Sequence, residues 1–144
     1  MADRAAEQAV LRVYEDWRKA FANVDGRSMQ SLWDHDYDGL VYQAEERADP
    51  IYDWPGIAAY WDGVHEVLER VNEWTELSRK IAVAGDAAFV YAKTMTRLKV
   101  VGVQNEIAGE LRSSLGLHRR DGRWLLIHYH ESRALDLEAI LRGG

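Results

Sequence analysis

Residues 111–132, LRSSLGLHRRDGRWLLIHYHES, read as a β-hairpin and decide the reading of the whole chain. The reversal is Arg119-Arg120-Asp121-Gly122-Arg123, where Asp-Gly supplies the positive φ angles of a tight turn. Beyond it, Trp124, Leu126, His128, His130 and Ser132 alternate with Leu125, Ile127, Tyr129 and Glu131. Strand side chains point to opposite faces with period two. Strict alternation therefore puts both histidines on one face with Trp124 and Leu126, as a polar spot in an apolar wall. Small-molecule pockets are built that way.

Upstream the period is that of a helix. Val10, Val13, Tyr14, Trp17 and Phe21 make one stripe of a first helix from about Asp3 to Ala22. A short second helix, Ser28 to Trp33, is followed by the turn cluster Asp34-His35-Asp36-Tyr37-Asp38-Gly39 and a strand from Leu40 to Ala44. Asp49-Pro50 and Trp54-Pro55 punctuate a loop. Ile57, Tyr60, Trp61, Val64, Leu68 and Val71 then predict a third helix from about Gly56 to Arg70. After it the period changes to two. Strands are expected at Glu73–Val83, Ala87–Val100, Glu106–His118 and Arg123–Glu131, with a last short helix from Leu135 to Leu141. Helices first and hairpin-linked strands afterwards give an α+β domain: three N-terminal helices on one strongly curved antiparallel sheet.

The 144 residues are expected to form a single domain over 1–144, with the 47% hydrophobic content supplying its core. Six Trp and seven Tyr suit pocket walls, since both combine apolar bulk with a polar end. A net charge of −6 argues against nucleic acid. The absence of cysteine excludes disulfides and thiolate chemistry. No apolar run approaches the ~20 residues of a membrane span, and no secretory leader is visible, so a cytoplasmic location and no membrane partner are expected. Without GxGxxG or a phosphate loop, no tightly bound dinucleotide is expected; a flavin lodged in the cone stays open, and no cofactor is assigned.

Four pieces in order resemble one family: Phe21-Ala22-Asn23-Val24-Asp25 ending the first helix, Leu32-Trp33-Asp34-His35-Asp36 before the first strand, residues 54–61 (WPGIAAYW), and Arg120–Trp124 with Ile127–Ser132. The chain resembles the SnoaL-like superfamily, which shares the cone-shaped fold of nuclear transport factor 2 and ketosteroid isomerase. The resemblance implies a conical barrel with a deep cavity, commonly a homodimer through the sheet. It implies no single chemistry, because relatives include isomerases, polyketide cyclases, epoxide hydrolases, dehydratases and assembly modules. The isomerase's helix tyrosine corresponds here to Trp17, and its aspartate falls near Val41 or Tyr42, so that chemistry does not carry over. Of the epoxide hydrolase set, Arg112 could supply the arginine, but the last-strand aspartate is missing. Cyclases that place a carboxylate or histidine on late strands are the nearest fit.

On this reading the catalytic candidates are His128 and His130 as proton-transfer groups, because histidine titrates near neutrality, with Arg112 or the Tyr42 phenol stabilising oxyanion charge. Tyr14, Trp17, Tyr60, Trp61, Glu110 and Trp124 are candidate substrate contacts. Each has a plainer reading. The histidines could bond backbone or Ser132; Glu110 and Arg112 could form a cross-strand ion pair; the aromatic stripes could be core alone. His-x-His is also metal-ligand spacing, but a third ligand would have to come from elsewhere, such as Glu110 or His118, and no metal is expected. Glu45, Glu46 and Arg47 read as a solvated loop near the cavity mouth. Two functions stay open: a cofactor-independent cyclase, isomerase or dehydratase acting on an apolar oxygen-containing metabolite, or a non-catalytic ligand-binding or dimeric assembly domain.

Overall fold

The computed structural model describes residues 3–134 and 137–143. Helix α1 spans Arg4–Ala22 and is capped by the Asp3 carboxylate, which accepts from the Ala6 N–H at 3.0 Å. Helix α2 is Gly26–Gln30 and strand β1 is Val41–Gln43. Helix α3 covers Trp54–Asp62, with Asp53 as N-cap and Pro55 in its first turn. Four long strands follow: β2 (Leu68–Ala84), β3 (Ala87–Val100), β4 (Ile107–Arg120) and β5 (Arg123–Arg133). Helix α4, Leu137–Arg142, ends the described chain. The expected start of that helix, Leu135, lies outside the described residues.

The α+β architecture expected from the sequence is present, with the helices on one curved five-stranded sheet of order β1-β5-β4-β3-β2. The long strands pair antiparallel, while the short β1 runs parallel to β5. Three register shifts along β2 bend it and help curl the sheet around the helices. The concave face and the helices enclose the core. Trp17 sits at its centre, 1% exposed, with its ring 5.5 Å from Tyr129, 5.8 Å from Tyr14 and Phe21, and 5.9 Å from Trp74.

Helix α3 is shorter than its apolar stripe predicts. Gly63 caps it, a single 3-10 turn follows at Val64–Glu66, and Leu68–Arg70 already belong to β2. The Val101 N–H donates to the Val67 carbonyl at 2.8 Å, and Leu68 is in register with Val100. Sheet pairing therefore captures the tail of the apparent helix. Leu68 and Val71 still face the core, now with strand rather than helix spacing.

The second difference is a β-bulge in the hairpin. Leu117 pairs with Leu126, but Gly116 pairs with His128, so Ile127 has no partner on β4. The extra residue inverts the alternation. Trp124 and Leu126 point inward before the bulge; Tyr129 and Glu131 point inward after it, at 1% and 7% exposure. His128 and His130 are turned outward and exposed. The expectation that both histidines share a face with Trp124 and Leu126 is corrected on this ground.

Candidate functional site

The end of β5 carries the polar part of the core. Beyond the bulge, Glu131 projects inward from a strand otherwise lined with Leu126 and Tyr129. The Tyr129 hydroxyl donates to its Oε1 at 2.6 Å, and the Glu45 backbone N–H donates to its Oε2 at 3.1 Å. Tyr129 is itself 3.1 Å from the Ser113 hydroxyl on β4. Burial pushes the Glu131 carboxyl up to about 7. The bonds from Tyr129 and the Glu45 N–H pull the other way, and the nearby Glu45 and Glu46 charges add to the rise.

In front of Glu131 lies a partly enclosed cavity of about 130 Å³. Phe21, Tyr42, Tyr60 and Trp61 give it aromatic walls, and the ends of β2, β3 and β4 add aliphatic ones. Glu45, Glu46 and Arg133 stand with Glu131 among its lining. Tyr42 is 2% exposed, and its ring lies 5.0 Å from Tyr60 and 5.1 Å from Tyr129. The Tyr60 hydroxyl donates to Glu46 Oε1 at 2.5 Å. Burial raises all three phenols above their ordinary range, with the carboxylates adding to the effect, so they stay protonated as donors. Arg133 Nε donates to Glu45 Oε1 at 2.5 Å and ties the segment after β1 to the end of β5.

Of the four catalytic candidates, Tyr42 alone reaches this cavity. His128, His130 and Arg112 share the outer face of the sheet, where Arg112 pairs with Ser132 and Ser114 with His130. Arg112 Nη2 donates to the Arg133 carbonyl at 3.1 Å. The His128 ring is held below its ordinary range by partial burial and by His130 beside it. Among the six contact candidates, Tyr60 and Trp61 line the cavity. Tyr14 and Trp17 are core, with the Tyr14 hydroxyl donating to Glu76 at 2.8 Å. Trp124 is buried at the far end of the hairpin, with Arg119 5.3 Å above its ring. Glu110 forms an ion pair with Lys93 at 3.1 Å on the outer face. Sequence reasoning did not single out Glu131 or Arg133. The available signal was Gly116, since a glycine inside a strand pattern marks a bulge.

The turn cluster before β1 is structural. Asp34 is 3% exposed, and its Oδ2 takes bonds from His118 Nε2 at 2.6 Å and Arg120 Nε at 2.7 Å. Its Oδ1 accepts from the Asp36 N–H at 3.0 Å. Burial pushes this carboxyl up, but the His118, Asp36 and Arg120 bonds prevail and hold it below the usual range.

The result is a helix-flanked, curled sheet with a cluster of charged groups in the wall of a small aromatic-lined cavity. The SnoaL-like domain family matches residues 10–136. The chain belongs to the SnoaL-like family. No curated protein matches its sequence. Solved structures similar to this SnoaL-like protein share its fold. An NTF2-like protein of unknown function from Pseudomonas putida KT2440 is 21% identical, with TM-score 0.76 over 96% of this chain and 94% of that one. A candidate dehydratase of the NTF2-like family from Streptomyces avermitilis is 14% identical, with TM-score 0.77 over 92% and 98%. The association domain of C. elegans CaMKII is 22% identical, with TM-score 0.64 over 90% and 96%. No helix among the described residues is long and apolar enough to cross a membrane.

Proposed function

We propose that this SnoaL-like protein is a cofactor-independent acid/base enzyme acting on a small, apolar, oxygen-containing metabolite, with Glu131 as its proton-transfer group. One observation carries the reading: a carboxyl buried in a cavity wall and pushed up to about 7. A general base or acid works best when its pKa lies near the operating pH. Perturbed carboxyls inside cavities concentrate at working sites. The role first read into His128 and His130 passes to Glu131, because the bulge turns the histidines away from the cavity.

The cavity's volume of about 130 Å³ is close to the ~150 Å³ apolar void that accepts benzene. The ligand is therefore about one ring, or a short branched chain. Glu131 removes a proton next to a carbonyl. The Tyr42 hydroxyl, which lines the cavity, donates to the oxygen on which charge develops. Glu131 then returns the proton to another carbon, giving isomerisation, or to a departing hydroxyl, giving dehydration. The fold shared with a candidate dehydratase supports this class.

The test is deuterium wash-in. One-ring and short-chain ketones and hydroxyketones are incubated with enzyme in D2O and followed by NMR. The expected result is enzyme-dependent exchange that falls about 10²–10⁴-fold in Glu131→Gln. Exchange at the wild-type rate in that variant refutes the assignment.

A second reading is favoured by the outer face of the sheet. Phe89 and Tyr91 are 60% and 42% exposed there, beside an apolar groove of about 520 Å³. Exposed apolar surface of this kind marks interaction sites, and an association domain shares the fold. On this reading two copies pair through their sheets. Sedimentation of Phe89→Glu against wild type tests it: loss of a dimer supports the reading, and a wild-type monomer at micromolar concentration refutes it.

A further inference from the structure

The two histidines that dominate the hairpin sequence have no part in the cavity, and their surroundings on the outer face point elsewhere. Both are exposed on β5 and lie two positions apart. Such neighbours on one face of a strand are about 6.7 Å apart at the backbone. Among the described residues His118 is engaged by Asp34 and His35 bonds to the Gln30 carbonyl, whereas neither His128 nor His130 makes a hydrogen bond or ion pair. Nothing crowds them on the β4 side. His128 faces Gly116, where even a Cβ would come within 2.9 Å of the His128 Cβ, and His130 faces the small Ser114.

Two unengaged imidazoles on one face of an extended strand make a bidentate nitrogen set. Imidazole suits zinc, nickel and copper. Two nitrogens fill half of a tetrahedral zinc site. The described residues offer no third ligand nearby: Glu110 is held by Lys93 at 3.1 Å and His118 by Asp34 at 2.6 Å. No group of three or more His, Asp or Glu among the described residues is placed to hold a metal. The missing half must come from outside. The face that carries the histidines also carries the exposed Phe89 and Tyr91 and the groove that His128 helps to line. Sheets stacked face to face lie about 10 Å apart, so their midplane is ~5 Å from each backbone. An imidazole nitrogen and a Zn–N bond of about 2.0 Å together span that gap.

We propose that His128 and His130 form half of a tetrahedral divalent transition-metal site, completed by the same pair from a second copy of this chain. The inference rests on the second reading above, that the sheet face pairs two copies, and adds to it a metal and its ligands.

The test uses the full chain, freed of metal by chelator and titrated with Zn²⁺ and Co²⁺ while its mass is followed by sedimentation. The expected result is half an equivalent of metal per chain, a metal-strengthened dimer, and the visible bands of four-coordinate cobalt bound by nitrogen. His128→Ala and His130→Ala should each weaken metal binding about tenfold or more and abolish the metal-dependent change in mass. Because both side chains are exposed, melting of the metal-free variants should match wild type. One equivalent per chain with six-coordinate cobalt and an unchanged mass overturns the shared site. Metal binding that survives in the double variant overturns the ligand assignment. A dimer indifferent to metal overturns the metal inference while leaving the pairing of sheets intact.

Discussion

Glu131 should make the protein less stable at neutral pH than it would be without a carboxylate there. The folded-state pKa is about 7, against an ordinary value of 4.5. Below pH 4.5 the group is protonated whether the chain is folded or not, and it costs nothing. Between 4.5 and 7 the unfolded chain ionises while the folded one resists, so stability falls as pH rises. Above 7 the full penalty applies. A difference of about 2.5 pH units is worth about 3 kcal/mol at ~1.4 kcal/mol per unit. Glu131→Gln removes that term. It keeps an acceptor for the Tyr129 hydroxyl but sets an amide against the Glu45 N–H, which costs about 1 kcal/mol. The variant should therefore gain about 1–2 kcal/mol at pH 8, or roughly 3–6 °C in Tm. At pH 5 it should be equal to or slightly below wild type. The assay is thermal unfolding of both proteins from pH 4.5 to 8.5, read as the difference between their curves so that other titrating groups cancel. Parallel curves, or a variant less stable at pH 8, would refute the reasoning and remove the main support for Glu131 as a proton-transfer group.

Three further outcomes can be checked independently. Tyr129→Phe removes the bond that restrains the Glu131 carboxyl, so a ¹³C-carboxyl NMR titration should place its midpoint above that of wild type; an unchanged or lowered midpoint contradicts the geometry. Asp34→Asn should destabilise by about 2 kcal/mol in urea unfolding, less than a fully buried pair because Arg120 can rehydrate. The loss should shrink below pH 4, since the depressed carboxyl contributes only where it is ionised in the folded state. Gly116→Ala should cost about 1–3 kcal/mol, because its Cβ would lie 2.9 Å from that of His128; a neutral effect would show that the bulge is not held by this close approach.

Much of the fold was legible because its signals are local. The stripe of Tyr14, Trp17 and Phe21 gave α1, and Asp121-Gly122 gave the hairpin turn, where Asp121 and Gly122 take φ of 52° and 77°. The candidate site was less legible, for two physical reasons. A single unpaired residue, Ile127, exchanges inward for outward along the rest of β5, and periodicity cannot register an insertion that leaves composition unchanged. The apolar pattern that runs through Leu68 and Val71 suits helix or strand equally, and only the distant partner Val100 decides between them. Tyr42, Tyr60 and Trp61 were found because each lies on an element whose phase was read correctly. Glu131 was passed over because strict alternation assigned it to the wrong side of the sheet.

The parallel pairing of β1 with β5 also constrains biosynthesis. Val41 finds its neighbour at His128, and the Trp33 and Asp34 segment bonds to Leu126, so the early part of the chain is completed only by its last long strand. On the ribosome α1 meets β2 early, through Glu76 and Trp74, but β1 and the Trp33 segment must wait until β5 has left the exit tunnel. Contacts this distant in sequence slow folding and expose the nascent chain to aggregation. The apolar surface of Trp33 and Tyr42 is thus open to chaperones until Leu126 and Tyr129 cover it.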